Sequence, residues 1–464
     1  MDPPLSLPPP EVAPSPASKS GSPKTGRSAP VGSTADARSR YATTAVAFGL
    51  LALGAFWRLF DLGYPRSFAF DEHHFVRNAR NYMIGQPDWN DHPPLGKLLL
   101  IPAMRLLGDN GVGWRLASAL LGLLLIGLAG LIAAKIFESA RVGLLTAAFV
   151  AIDGFFISYA RVALLDTPMT VFVYGALALM LWAHSLWWFV AAAICVGLAV
   201  ATKWTGVCIM LIAPWLLMRG EGKGKGRGKG EETKSRAPWH AIWMFGLASL
   251  VYVGVLAIAL RITGQPFSIS GLLVSNVSLL KHHAGFTVWD NAAASRWYSW
   301  PFLTHPILMH YESVGPATLR ATTSLGNILL WFSTTAAIAW TLFAGARGAW
   351  RRRGSDRPFQ LRTLRTNRFW ALGGSFALVT MLALVLPFVV TRRQSYIFHY
   401  LGAYGLGLGL LASWLVKLEE RFSRSVLAFV GLAAAVSIFY APVWTNALIS
   451  RTGFLIRLPF PGWH

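Results

Sequence analysis

The sequence predicts an all-α polytopic membrane protein, and three observations support that fold class. Apolar residues make up 54% of the 464 residues, whereas charged residues make up 13%. Nearly uncharged runs of about twenty residues recur along the chain, and a helix of that length crosses the ~30 Å hydrocarbon core of a bilayer. Lys and Arg are concentrated in a few segments between these runs, as is typical of cytoplasmic loops.

The membrane domain is expected over residues 43–445, after a polar, proline-rich segment. Residues 1–42 are polar and rich in proline, which predicts a disordered tail. They lack the apolar core of a cleavable signal peptide, so we expect this tail in the cytoplasm. The apolar runs predict about eleven transmembrane helices. Their expected ranges are 43–60, 113–137, 141–157, 167–184, 186–201, 204–218, 239–262, 322–345, 369–390, 397–416 and 425–445.

The distribution of charge supports this topology. With a cytoplasmic N-terminus, the alternation of spans places loops 219–238 and 346–368 inside, and these loops carry seven and eight Lys or Arg residues. The same alternation places loops 61–112 and 263–321, together with the tail 446–464, on the extracytoplasmic side. Because loop 61–112 is rich in acidic residues, we expect the chemistry on that side.

The net charge of +22 does not predict a nucleic-acid partner. The basic tracts flank apolar spans, and "EGKGKGRGKG" contains no interleaved aromatic residues of the kind that stack on bases, so the lipid bilayer is the expected environment. The two cysteines, Cys195 and Cys208, lie within apolar spans. They therefore predict neither a disulfide framework nor a zinc site.

The first extracytoplasmic loop is expected to hold amphipathic helices that lie in the membrane interface. From Asp71 onward, Phe75, Ala79 and Tyr82 fall on one face at helical spacing. Asp71 stands at the start of this helix on the apolar side. It is therefore placed either to cap the helix or, with its pKa raised by partial desolvation, to act as a general base.

A second short helix is predicted where "DHPPLGK" places two prolines at the helix entry. His92 in this segment is more typical of a turn or capping residue than of a catalyst. The spacing of His73, His74 and His92 fits no standard zinc motif, so no metal site is predicted. The adjacent acids Asp71 and Glu72 leave binding of a divalent ion open.

A series of ordered motifs resembles those of the protein O-mannosyltransferases. They cover roughly residues 60–410 and read "FDEHHF" with "DHPPLGKLL" and "GWRLASALLG", "ARVALLDTPM", "ATKWTGV", "SRWYSWPFLTHPI", "SLGNILLW" and "YIFHYL". The resemblance implies a C-type membrane glycosyltransferase (GT-C) fold, with its active site on the extracytoplasmic face of the plasma (inner) membrane. Loop 263–321 is too short for the β-trefoil of eukaryotic members, so the chain resembles a compact bacterial type.

The resemblance also implies the reaction. Family members take mannose from a polyprenyl-phosphate-mannose donor and place it on Ser or Thr hydroxyls of exported proteins. Asp71 is implied as the general base, and direct attack by the hydroxyl would invert the anomeric carbon without a second carboxylate nucleophile. Glu72 is expected either to orient Asp71, to bind the acceptor backbone, or simply to complement the helix dipole.

The departing phosphate requires fixed positive charge near the outer surface. The candidates to bind the donor phosphate or sugar are Arg161, Lys203, Arg296, His399 and Tyr400. Arg161 is favoured because it lies in a matching motif with Asp166 close by, whereas Lys203 has the alternative of snorkelling to the interface. The candidates for the acceptor site or the groove are His92, Trp297, Tyr298 and Trp300.

Two other functions fit parts of the sequence. A related transferase would move a sugar from the same type of donor onto a lipid or a polysaccharide. A transporter or flippase would have the same composition, but its ionisable residues would lie along a path through the spans. In this chain they gather in loops on one side, and "GEGKGKGRGKG" lacks the ending of a nucleotide-binding P-loop.

Overall fold

The computed structural model describes residues 32–87, 91–214, 237–285, 287, 289, 291–353 and 368–463. The chain divides into two compact units, residues 1–45 and residues 46–464. The described residues of the first unit are helical. The first helix begins at Gly32, within the segment 1–42 that was predicted to be a disordered tail. The rest of that tail, and most of the two predicted basic loops, lie outside the described residues.

Helices make up most of the described chain. They are α1 (Gly32–Leu59), α2 (Glu72–Met83), α3 (Leu95–Leu98), α4 (Ile101–Leu107), α5 (Gly111–Ile136), α6 (Ala140–Ile152), α7 (Gly154–Ala160), α8 (Asp166–Trp182), α9 (Leu186–Thr202), α10 (Ala237–Ile262), α11 (Ile269–Gly285), α12 (Ile328–Arg353), α13 (Arg368–Val390), α14 (Leu401–Glu419), α15 (Ser425–Tyr440) and α16 (Arg451–Arg457). Short 3-10 helices lie at Trp204–Leu211, Trp297–Phe302, Ile397–Tyr400, Ala441–Val443 and Pro461–Trp463.

The predicted multi-span architecture is confirmed. Within the described residues, six helices are long and apolar enough to cross a membrane, and the pair α6 and α7, bent by 60°, makes a seventh candidate. Three shorter apolar helices, Thr43–Leu59, Asp166–Trp182 and Leu186–Thr202, also coincide with predicted spans. The predicted span 204–218 begins instead as a 3-10 helix that ends at Leu211.

A small antiparallel sheet accompanies the helices. Strands β1 (Leu308–Ser313) and β2 (Thr318–Thr323) form a hairpin, and β3 (Leu448–Ser450) pairs with the other edge of β2. Because β2 occupies the expected start of the span 322–345, helix α12 begins later than predicted, at Ile328. The strands are too short and too close to apolar runs to produce a clear alternating pattern in the sequence.

The sheet gathers the three segments that were predicted to share one side of the membrane. It pairs loop 263–321 with the tail 446–464. The backbone N–H of Phe70, in loop 61–112, donates to the carbonyl oxygen of Met309 in β1 at 2.8 Å. The three segments therefore lie together at one end of the helical body.

A buried polar cluster joins the helices where α6 bends into α7. The Asp153 carboxylate accepts hydrogen bonds from the Tyr404 hydroxyl and from the Asn327 backbone N–H, each at 3.0 Å. The Asn327 side chain donates to the Ser437 hydroxyl and to the carbonyl oxygen of Ala433, each at 2.8 Å. Asp153 and Asn327 together thus connect α7, α14 and α15 at the start of α12.

We expect Asn327→Ala to lower the free energy of unfolding by about 1–3 kcal/mol, because it leaves buried polar groups of α15 without their donor. The measurement is the thermal unfolding midpoint in detergent. Asn291→Ala, at an exposed loop residue, is the control and should cost less than about 0.5 kcal/mol. Equal midpoints for the two variants would contradict the role given to Asn327.

Candidate active site

Among the acidic side chains of the site, Asp71 has a carboxylate that is not used to hold the fold together. It occupies the N-cap position of α2, yet its side chain accepts no capping hydrogen bond from the helix backbone. Burial and, to a smaller extent, the Asp91 carboxylate raise the pKa of Asp71 to about 6, against the opposing charges of Lys203 and His73. The side chain is therefore deprotonated at neutral pH but close enough to its pKa to exchange a proton.

Glu72 has a different role from its neighbour. Its fully buried carboxylate accepts hydrogen bonds from Arg115 Nε at 2.7 Å and Nη2 at 2.8 Å, and from the backbone N–H groups of Ala69 and Ala163, each at 2.8 Å. With these four donors in place, the carboxylate is held within the fold. Among the roles expected for Glu72, these contacts favour that of a positioning residue that orients Asp71.

The backbone that leads into Asp71 is held in an unusual conformation. Phe70 has a φ of 50°, in the left-handed region that non-glycine residues rarely adopt. Arg115 fixes the preceding segment by donating to the carbonyl oxygens of Pro65 at 2.7 Å and Ser67 at 3.0 Å. The buried Glu72–Arg115 pair thus sets the position of Asp71 from both sides.

Lys203 is a cation whose charge opposes the raised pKa of Asp71. Its Nζ donates to Asp166 Oδ1 at 2.8 Å and lies 4.5 Å from the ring centroid of Phe398. Phe398 in turn contacts Phe70, with ring centroids 6.3 Å apart. Lys203, a predicted donor-binding residue, therefore packs on the 3-10 helix Ile397–Tyr400, which also contacts the residue before Asp71.

Arg161 does not bind Asp166, and its guanidinium is used inside the fold. It donates to chain carbonyls between 2.7 and 3.3 Å, namely those of Trp57, Phe60, Asp61 and Thr445. The predicted role of Arg161 as a phosphate ligand is therefore corrected: it fastens the end of α1 to the residues after α15. The acid that the sequence placed beside it, Asp166, pairs with Lys203 instead.

We expect Arg161→Leu to lower the free energy of unfolding by about 2–4 kcal/mol, because several partly buried carbonyls lose their donor. In the enzyme that remains folded, the KM for the donor should stay within about twofold of wild type. Unfolding midpoints and donor titrations test both expectations. A stable variant with a raised donor KM would restore Arg161 as a phosphate ligand.

A cavity of about 410 Å³, which we call the donor cavity, lies beside Lys203. Its charged and polar lining includes Lys203, Arg392, Arg393, His92 and His283. Its apolar lining includes Trp204, Leu280, Pro387 and Phe388. Cations at one part of a largely apolar cavity suit a phosphate attached to a hydrocarbon chain.

The sequence analysis missed Arg392, Arg393 and His283. A signal for the arginines was present, because they directly follow the apolar run that ends at Val390, in a short loop predicted to be extracytoplasmic. Adjacent arginines are unusual there under the positive-inside rule, which favours a functional role over a topological one. His283 lies outside every quoted motif, and nothing in its spacing indicated the cavity.

His92 lines both the donor cavity and a second cavity of about 310 Å³. The second cavity is bounded by α10 and α11 and includes the polar side chains of Tyr252, Gln265 and Asn276. Burial, followed by the charges of Lys203 and Lys97, holds the pKa of His92 well below its ordinary value. The imidazole is therefore neutral, and the place of His92 in an acceptor groove stays a prediction.

The aromatic candidates divide into buried and exposed residues. Trp300 and Tyr400 are buried in the core, with ring centroids 6.1 Å apart, so the predicted roles of Trp300 in a groove and of Tyr400 at the donor are corrected to packing. Trp297 and Tyr298 are exposed and line neither of the two cavities. Their place in an acceptor groove stays a prediction.

Arg296 and His399 also lie apart from the donor cavity. The Arg296 guanidinium packs over the ring of Trp289 at 4.5 Å. His399 packs against Phe388, with ring centroids 4.0 Å apart, and lines a small adjoining pocket. Within the described residues, no group of three or more His, Cys, Asp or Glu side chains is placed to share a metal ion.

Comparison with known families covers most of the chain. The model described as dolichyl-phosphate-mannose-protein mannosyltransferase matches residues 49–114 and 106–264. The model described as the C-terminal four TMM region of protein-O-mannosyltransferase matches residues 268–451. Together the two matches include Asp71, Lys203 and Arg393.

Individual relatives agree with these matches. A polyprenol-phosphate-mannose--protein mannosyltransferase of Mycolicibacterium smegmatis is 24% identical, over 92% of this chain and 94% of its own length. The protein of the same name from Mycobacterium tuberculosis is 34% identical, over 33% of this chain and 35% of its own length.

Solved structures share the fold. The S. cerevisiae protein O-mannosyltransferase Pmt1-Pmt2 complex bound to the sugar donor superposes with a TM-score of 0.77 at 14% identity, over 91% of this chain and 92% of that chain. ArnT from Cupriavidus metallidurans bound to undecaprenyl phosphate gives a TM-score of 0.50 at 18% identity, over 88% of this chain and 65% of that chain.

Proposed function

Because the chain belongs to the protein O-mannosyltransferase family and has its multi-pass helical fold, we propose that it transfers mannose from polyprenyl-phosphate mannose to Ser or Thr hydroxyls of exported proteins. The observation that carries this proposal is the uncapped Asp71 carboxylate, whose pKa is raised by burial against the opposing charge of Lys203, a residue on the lining of the donor cavity. A base and a cationic cavity for the leaving group are the two parts that the reaction needs.

The proposed reaction is a single displacement. The acceptor hydroxyl oxygen forms a bond to C1 of mannose while the bond between C1 and the phosphate oxygen breaks. The electron pair of that bond leaves with the phosphate, and the hydroxyl proton passes to Asp71. Attack opposite to the leaving group inverts the anomeric carbon, so a β-linked donor gives an α-mannoside.

The other acid at the helix start does not serve as a nucleophile in this scheme. Glu72 is fixed by Arg115 and two backbone donors, which supports a mechanism with one catalytic carboxylate. Lys203, Arg392 and Arg393 are the side chains that would stabilise charge on the departing phosphate. The Asp166 carboxylate holds the Lys203 ammonium in place through their 2.8 Å contact.

We place this chemistry on the extracytoplasmic side of the plasma membrane. Loops 61–112 and 263–321 and the tail 446–464 meet at one end of the structure, and positive charge is concentrated in the loops that alternate with them. Exported proteins carry their acceptor hydroxyls on that side.

The experiment is transfer of radiolabelled mannose from polyprenyl-phosphate mannose to a Ser/Thr-containing peptide, with the same peptide carrying Ala at those positions as the control. Label on the hydroxyl peptide alone, in α linkage, supports the proposal. Label on lipid or polysaccharide would replace the acceptor and favour the related transferase. If the membrane-inserted protein consumes neither polyprenyl-phosphate mannose nor any other polyprenyl-phosphate sugar, the proposal is overturned and a transporter or flippase is favoured.

A further inference from the structure

The end of helix α11 (Ile269–Gly285) contributes a side chain to the donor cavity. His283, in its last turn, lines the cavity together with Lys203 and Arg393. Its ring centroid lies 5.1 Å from that of His92 and 6.0 Å from that of Trp204. This histidine therefore belongs to the wall of the cavity, although its helix lies far from Asp71 in sequence.

His283 has an unused hydrogen-bonding atom at this wall. Its Nδ1 is buried and has no hydrogen-bond partner among the described residues, and the same holds for the Thr205 hydroxyl on the same lining. A buried polar atom left without a partner costs about 1–3 kcal/mol. Such atoms beside a cavity rich in cations point to a ligand that is an anion with several acceptor oxygens.

His283 is suited to act as an uncharged hydrogen-bond donor. Burial, together with the charges of Arg393, His282 and Lys203, lowers the pKa of His283 to about 4, against the opposing effect of Asp91. The imidazole is therefore uncharged at neutral pH. It can donate one N–H without adding to the repulsion among the cations that line the cavity.

We propose that His283 is a further catalytic residue, whose neutral imidazole donates Nδ1–H to an oxygen of the carrier phosphate. The inference rests on the proposed function. As the bond from C1 to the phosphate oxygen breaks, negative charge grows on the phosphate, and this hydrogen bond strengthens. The acceptor proton goes to Asp71, and His283 keeps its own proton throughout.

The position of His283 is set by a hydrogen-bonded chain behind it. Trp204 Nε1 donates to the Tyr252 hydroxyl at 3.1 Å, and that hydroxyl donates to Asn276 Oδ1 at 2.6 Å. Asn276 lies two turns before His283 on α11, and Trp204 follows Lys203 directly in the chain. These two hydrogen bonds thus hold α11 against the segment that contains Lys203.

The test compares His283→Leu with His283→Asn and with His282→Leu, the matched control at the adjacent histidine. We expect His283→Leu to lower kcat about 10- to 100-fold and to weaken inhibition by undecaprenyl phosphate about tenfold, while the KM for the acceptor peptide stays unchanged. His283→Asn should recover part of both losses, because its amide N–H lies near the position of Nδ1. His282→Leu should match wild type.

Binding of undecaprenyl phosphate, measured separately in detergent, distinguishes failure of this inference from failure of the proposed function. If wild-type protein transfers mannose but His283→Leu equals His282→Leu in kcat and in binding, the role of His283 is overturned. If wild type transfers no mannose while binding is still weaker in His283→Leu, the proposed function fails and the phosphate contact stands. Unfolding midpoints exclude a merely misfolded variant, and recovery in His283→Asn excludes a purely structural role.

Discussion

Asp71→Asn is expected to lower kcat for mannose transfer by about 10²- to 10⁴-fold, which is the largest loss of activity that we predict for a single substitution. The amide has nearly the same shape as the carboxylate but cannot accept the hydroxyl proton. Because the Asp71 side chain caps no backbone N–H of α2, the substitution should leave the fold intact. Donor binding should also persist, since Lys203, Arg392 and Arg393 are unchanged. The measurement is kcat at saturating donor and peptide.

The control for Asp71 is the nearby Asp91, whose carboxylate lies 3.9 Å from Lys97 Nζ. Asp91→Asn should retain activity within about tenfold of wild type near neutral pH, because this residue acts only through its charge. The assignment of the base would be contradicted if Asp91→Asn lost as much activity as Asp71→Asn. It would also be contradicted if Asp71→Asn kept more than about a tenth of the wild-type rate.

Breaking the buried Glu72–Arg115 pair is expected to give the largest loss of stability. Both side chains are fully buried, and removing one leaves the other as an unpaired charge. Glu72→Gln and Arg115→Met should each lower the free energy of unfolding by about 3–5 kcal/mol. The double variant should lose less than the sum of the two single losses, because neither charge is then left alone. Thermal unfolding in detergent measures all three.

The Arg80–Asp109 pair provides a matched control. Its closest contact, at 2.7 Å, equals that of Glu72–Arg115, but the two side chains are 41% and 45% exposed. Arg80→Met should therefore cost no more than about 1 kcal/mol. Equal losses for Arg80→Met and Arg115→Met would show that burial does not decide the strength of these pairs here.

The helical body could be predicted from the sequence because its signal is local. Each span is an apolar run whose length matches the bilayer, and helices such as Gly111–Ile136 and Ser425–Val443 fall where the runs predicted them. Helix α2 also follows from its own spacing, with Phe75 and Ala79 on the buried face. Asp71 at its start could therefore be placed before any contact was known.

The partners of the charged residues could not be predicted, because they depend on contacts distant in sequence. Asp166 follows Arg161 closely in the chain, but its carboxylate is paired with Lys203. Arg161 instead satisfies carbonyls at the ends of α1 and α15. Short-range spacing cannot distinguish these arrangements, since both place a cation near the same end of the molecule.

Motif membership was also a poor guide to exposure. Trp300 lies in a motif that suggested a groove, but it is completely buried and its Nε1 donates to Ser295 Oγ at 3.1 Å. His283 lies in no motif but lines the cavity. Aromatic residues serve packing and binding equally well, so their role is decided by the three-dimensional contacts.

The pH dependence of transfer tests most directly whether Asp71 is the base. Since the pKa of Asp71 is about 6, kcat/KM should be constant above about pH 7 and should fall about tenfold per pH unit well below 6, as the carboxylate becomes protonated. Asp91→Asn should move this fall to lower pH, because the Asp91 charge contributes to the raised pKa. A rate that stays constant down to about pH 5, or a fall that Asp91→Asn leaves in place, would contradict the assignment of Asp71.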